Sequence, residues 1–167
     1  VTIDAQGRSI TPGLIDAHSH TAVDGGVNEG SHNISAEVRI GDVVNPFAPA
    51  IYRELAGGLT AANVLHGSSN AIGGQSAIFK LRNGEGPDGL KLRDAPPGIK
   101  FALGENPKRS NMQGSGPLRY PQTRMGVSAL VRERFAAARD YRRKQKAEPV
   151  RPDLQLEAIA EILEGKR

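Results

Sequence analysis

Apolar positions along this chain recur with two periods, and the helical one is the clearer. Val127, Leu130, Val131, Phe135 and Ala138 fall on one stripe, predicting an amphipathic helix over residues 123–147 capped by Thr123. The opposite stripe carries Arg132, Glu133, Arg139, Arg142, Arg143, Lys144 and Lys146. Residues 149–152 read as a linker. Asp153 then caps a last helix through Leu163, with Leu156, Ile159, Ala160 and Leu163 inward and Gly165 beyond its end. A third helix is predicted over residues 50–56, with Ala50, Ile51 and Leu55 on one side and Gly57-Gly58 as the stop.

Elsewhere the pattern is that of strands and loops. Residues 1–11 read as two short strands around a turn at Gln6-Gly7. Pro12-Gly13 launches a buried strand ending at His20. Residues 59–67, aliphatic on both faces, predict a second buried strand, and residues 76–82 and 98–104 two more. Residues 21–49 form a long polar, glycine-rich segment, with a short strand or helical turn over 36–40. Loops of that length in a compact domain are usually functional or disordered. Residues 67–75 read as a glycine-rich turn able to present backbone N–H groups to an anion. No Gly-Lys-Ser/Thr follows, so it is not a phosphate-cradling Walker loop. Residues 83–97 read as a glycine- and proline-rich excursion, and residues 108–122 as a basic, glycine-rich loop, a candidate contact for an acidic group on a substrate.

Length and charge narrow the classes. A chain of 167 residues is long enough for one domain with a real core. The net charge of +4 is spread over mixed signs, with the basic excess between residues 119 and 146. That suits a solvated helix face better than a nucleic-acid stripe. Aromatic residues make up 4% and Trp is absent, which disfavours stacking on bases and predicts an aliphatic core. There is no cysteine, hence no disulfide and no thiolate metal site. No apolar run reaches the roughly 18 residues of a membrane span. The chain opens on Val1 and closes on Arg167, and is expected to be a piece of a longer protein. The compartment stays open, cytoplasmic or exported behind an upstream leader.

The candidate chemistry sits at His18-x-His20. Side chains of a strand alternate, so both imidazoles, with Asp16, are expected on one face. Two imidazoles on a rigid strand suit one zinc-like ion. A bare His-x-His also arises by chance on surfaces; behind an apolar Pro-Gly-Leu-Ile-Asp strand the metal reading gains. Lys100 is the second oddity. It alternates with Ala102 and Gly104 opposite Ile99, Phe101 and Leu103. A buried ammonium is costly, so its charge is expected to be altered or paired, or the side chain snorkels to solvent. Glu105, at the strand end, is the competing candidate. His32 and Asp42, in the long loop, read either as solvated side chains or as part of a substrate-facing segment.

The stretches PGLIDAHSH and GIKFALGENPK, with Leu55-Ala56-Gly57-Gly58-Leu59-Thr60 between them, resemble the metal-dependent amidohydrolase superfamily in its imidazolonepropionase-like branch. The resemblance implies an α/β fold: a partial (β/α)8 barrel, with residues 1–11 a remnant of a flanking β-sandwich and residues 12–167 the N-terminal part of the barrel. A complete barrel typically takes about 250 residues. It further implies one or two divalent metals, zinc foremost, and hydrolysis of C–N bonds in non-peptide amides, cyclic amides or amidines by a metal-activated water. The implied metal ligands are His18, His20 and either Lys100, carboxylated by CO2, or Glu105. His32, His66, Asn70 and Arg109 are candidate substrate contacts, and Arg119 a further guess. The general-base aspartate and two more histidines are expected outside these residues, so the piece alone should bind metal weakly and turn nothing over. The expected partner is a small-molecule substrate, with no nucleic acid and no membrane span; homo-oligomers of the whole protein stay open. Two other classes remain: a non-catalytic anion-binding module, and a basic nucleic-acid-binding domain built on the 123–147 helix.

Overall fold

The computed structural model describes residues 2–109 and 118–167. β1 (Leu14–Ser19) and β2 (Leu59–Val64) pair in parallel. Parallel neighbours need a crossover, and α1 (Pro49–Ala56) supplies it. Pro49 opens that helix where a missing N–H costs nothing. Gly58, at φ +90, turns the chain from α1 into β2, a backbone region that favours glycine. β3 (Ile72–Gln75) follows, then β4 (Ala77–Lys80), which pairs antiparallel with β2 to complete a sheet of order β1-β2-β4. β3 pairs antiparallel with β5 (Ile99–Phe101) in a second, two-stranded sheet. Between β4 and β5 lies the single turn α2 (Pro87–Leu90), and after β5 the single turn α3 (Asn106–Arg109). The architecture is mixed α/β.

The long helices follow the periodicity closely. α4 (Arg124–Ala147) starts at Thr123, whose hydroxyl accepts from the Gly126 N–H at 3.1 Å. α5 (Leu154–Leu163) starts at Asp153, whose carboxylate accepts from the Leu156 N–H at 3.0 Å. The Tyr141 hydroxyl donates to Glu157 at 2.9 Å and accepts from the Asp153 N–H at 3.1 Å, pinning the two helices together. Two apolar clusters result. One joins Ile51 of α1 to Ala62, Val64 and Phe79 of the three-stranded sheet. The other packs Val127, Leu130 and Ile159 of α4 and α5 on Ile34 and Ile72, with Phe101 and Phe135 stacked at 6.2 Å.

Several expectations are corrected. β1 is not buried: Leu14 and Ile15 are 62% and 75% exposed. Among the described residues it is the edge of its sheet, with β2 as its one neighbour. No strand forms over residues 2–11; the turn at Gln6-Gly7 is present and is closed locally by Arg8 N–H on the Ala5 carbonyl. Within residues 67–75 the second half is strand β3, paired to β5, rather than a turn. The strand from Leu59 ends at Val64, and the strand at Lys100 ends at Phe101, which leaves Leu103 exposed. Leu163, expected inward, is 43% exposed in the last turn of α5.

Candidate metal centre and the loop beside it

The end of β1 departs from regular pleating. Its register places Asp16 opposite Ala62 and Ser19 opposite Val64, three residues against two. That irregularity breaks the alternation expected to group Asp16 with the histidines. The Asp16 carboxylate instead accepts from the His18 backbone N–H at 3.0 Å. The two imidazoles nevertheless meet, with ring centroids 5.2 Å apart and planes at 86°. His20 Nδ1 faces the Leu65 carbonyl at 2.9 Å. A carbonyl only accepts, so Nδ1 carries the proton and the lone pair of His20 lies on Nε2, free for a ligand.

Lys100 reaches the same place from β5. Its Nζ lies 3.5 Å from His18 Nε2, although the two residues are 82 positions apart. At that spacing a group carried on Nζ lies within reach of an ion held by the His18 imidazole. Burial pushes the Lys100 amine below its ordinary pKa. The residues present therefore fit part of a coordination sphere, two imidazoles beside an amine. Among the described residues, no three His, Cys, Asp or Glu side chains gather to complete one.

Glu105 is turned to cations: Lys108 lies at 2.6 Å and Arg124 at 3.6 Å. With Ser68 and Lys100 it lines a small cavity of about 230 Å³ at the end of β5. Asp42 pairs with Arg39 at 2.9 Å on the surface.

The candidate substrate contacts are placed unequally. His32 is exposed, on the loop between β1 and α1. Arg109 ends α3, and its side chain lies outside the described residues. His66 is buried, 3% exposed, with both nitrogens engaged. Its Nε2 accepts from the Glu29 N–H at 2.8 Å, and its Nδ1 faces the Gly67 carbonyl at 3.0 Å. Burial, first among its causes, holds its pKa below the ordinary value, against the opposing pull of the Gly67 carbonyl and Glu29. Asn70 is fully buried, and its amide nitrogen donates among the Glu29 carbonyl at 2.7 Å, the His32 carbonyl at 2.8 Å and Ser35 Oγ at 2.8 Å. Arg119 donates to the Gly30, His32 and Ser69 carbonyls, which binds three segments together.

Sequence reasoning thus missed a polar latch. The N–H groups of Gly67 and Ser69, expected to face an anion, are spent on the Val27 carbonyl at 2.5 Å and Asn28 Oδ1 at 3.1 Å. One signal was legible: Gly73-Gly74 inside a strand, a mark of close approach. A Cβ on Gly73 would stand 2.7 Å from His66 Nδ1, and one on Gly74 3.1 Å from His66 Cδ2. The glycines are the flat floor on which that imidazole lies.

No protein-family model matches the chain. Amidohydrolase tasK of Hapsidospora irregularis is 36% identical over 162 residues, which cover 87% of this chain and 16% of that protein. A crystal structure of an amidohydrolase from Thermotoga maritima MSB8 superposes with a TM-score of 0.82 at 31% identity, over 98% of this chain and 47% of that one. The chain therefore spans a sixth of the curated relative and just under half of the solved one. With similarity of sequence and of backbone running along most of its length, the chain belongs to the amidohydrolase superfamily.

Proposed function

We propose that these residues supply the first metal-binding strand of a divalent-metal-dependent hydrolase that acts on C–N bonds of small molecules. In this reading β1, α1 and β2 open a (β/α)8 barrel of the imidazolonepropionase-like branch, completed by chain outside these residues. The observation that carries it is the convergence of His18, His20 and Lys100 from two separate strands. A bound divalent ion would supply Lewis-acid activation of water and of the scissile group.

The chain's own residues do the holding. His20 offers Nε2 because Leu65 occupies Nδ1. His18 offers its Nε2 beside the Lys100 amine. Burial favours the neutral amine of Lys100, the form whose nitrogen adds to the carbon of CO2. That addition forms an N–C bond, releases one proton to solvent and turns the neutral amine into a carbamate anion, a ligand with hard oxygen donors; counted from the ammonium, two protons leave. Glu105 is the weaker alternative, because Lys108 and Arg124 already claim its carboxylate.

The test is metal analysis of the full-length protein. At least one equivalent of zinc, manganese or iron is expected, falling to a small fraction in His18→Ala and His20→Ala. A folded full-length protein without stoichiometric metal would overturn the reading. The 167-residue chain alone is expected to bind metal weakly and to hydrolyse nothing.

A further inference from the structure

We propose that His66 is a positioning residue for the metal centre: its locked ring aims the preceding carbonyl, Leu65 C=O, at His20 and so sets which nitrogen of His20 faces the ion. The inference rests on the metal reading above and adds a residue that touches neither metal nor substrate.

Three observations carry it. Leu65 is held through both of its backbone polar groups: its N–H donates to the Ser19 carbonyl at 2.9 Å, and its C=O accepts from His20 Nδ1 at 2.9 Å. The residue on its C-terminal side is equally restrained. His66 is buried and bonded through both ring nitrogens, to Gly67 on one side and to Glu29 on the other. The ring lies against the Gly73–Gly74 backbone, where a Cβ on either glycine would crowd it, and its two bonds point it one way. A ring fixed in this way fixes the backbone torsions on its N-terminal side, and hence the direction of the Leu65 carbonyl. A solvent-exposed neutral histidine side chain prefers the other tautomer, with the proton on Nε2. Without an aimed acceptor at Nδ1, His20 would spend much of its time with Nε2 blocked for coordination. Partners of this kind typically change metal affinity about 10–100-fold.

A plain role in holding the loop makes a different prediction, and Asn70 separates the two. Asn70 also ties down residues 29–35, yet has no hydrogen bond to Leu65 among those it makes there. The experiment reads the His20 ring nitrogens by long-range proton–nitrogen NMR in the metal-stripped, full-length protein. Expected are an Nδ1–H tautomer in the native protein and in Asn70→Ala, and a shift towards Nε2–H in His66→Ala. His66→Gln retains an acceptor for the Glu29 N–H and most of the volume. It should show a smaller shift, and it replaces His66→Ala if that variant does not fold. Zinc affinity by chelator competition should fall at least tenfold in His66→Ala and less in His66→Gln. An unchanged His20 tautomer in a folded His66 variant, or an equal shift in Asn70→Ala, would overturn the proposal. If the native protein takes up no metal while the tautomer still answers to His66, the metal reading fails and the positioning role stands.

Discussion

The α4–α5 pair and the segment around His66 are both buried, but by opposite means. The helices are held by apolar area, with Val127, Leu130 and Ile159 packed on Ile34 and Ile72. The His66 segment is held by polar side chains reaching backbone: Asn70 to two carbonyls and a hydroxyl, His66 to one carbonyl and one N–H, Arg119 to three carbonyls. The first kind of packing is forgiving of detail and indifferent to direction. The second works only at set distances and angles, and leaves buried groups unpaired when one partner goes. A metal centre needs directed groups, and it is the second kind that lies beside His18, His20 and Lys100.

The comparison can be broken from either side. The largest effect is expected from Ile159→Ala, which empties a fully buried site and should cost about 3 kcal/mol in urea unfolding. Metal uptake of the folded fraction should be unchanged, because the damage stays among the helices. Next comes Asn70→Ala. It removes no apolar area to speak of, yet takes away the amide that donates to the Glu29 carbonyl and leaves the His32 carbonyl to Arg119, and should cost about 2 kcal/mol. Amide exchange should rise over residues 29–35 and stay flat in α4. Equal exchange gains in both regions would show that the two are one cooperative unit.

The smallest effect concerns pH. The folded-state pKa of His66 is depressed, chiefly by burial. The unfolded chain therefore binds the proton first, near the ordinary value of about 6.5. Stability from this group is complete above that pH and declines as the pH falls towards the lower folded-state value. Protonation would also set an N–H of the ring against the Glu29 N–H. Unfolding curves from about pH 7 down to about pH 5 should show a decline that is shallower in His66→Gln. Parallel slopes in the two proteins would remove His66 from the pH response.

Legibility in the sequence divides the same way. α4 and α5, with the caps Thr123 and Asp153, were legible because helical periodicity and capping are local. The pairing of His18 with His20 was legible because two residues on a strand stay neighbours. The convergence with Lys100 came from resemblance, since no local rule joins residues 82 apart. The position of Asp16 was misjudged because a register irregularity is invisible in an alternating pattern. The buried bonding of His66 and Asn70 was out of reach, because their partners are backbone atoms, which sequence does not label. Only Gly73-Gly74 hinted at the ring lying over them.

The bare flank of β1 has a practical consequence. Leu14 and Ile15 stand open beside a row of backbone groups with no neighbouring strand on that side among the described residues. Such a rim is a template on which another extended segment can add. Handled by itself and concentrated, this polypeptide offers a ready seam for self-adhesion, so a Lys placed at Ile15 is the first change to make for keeping it in solution.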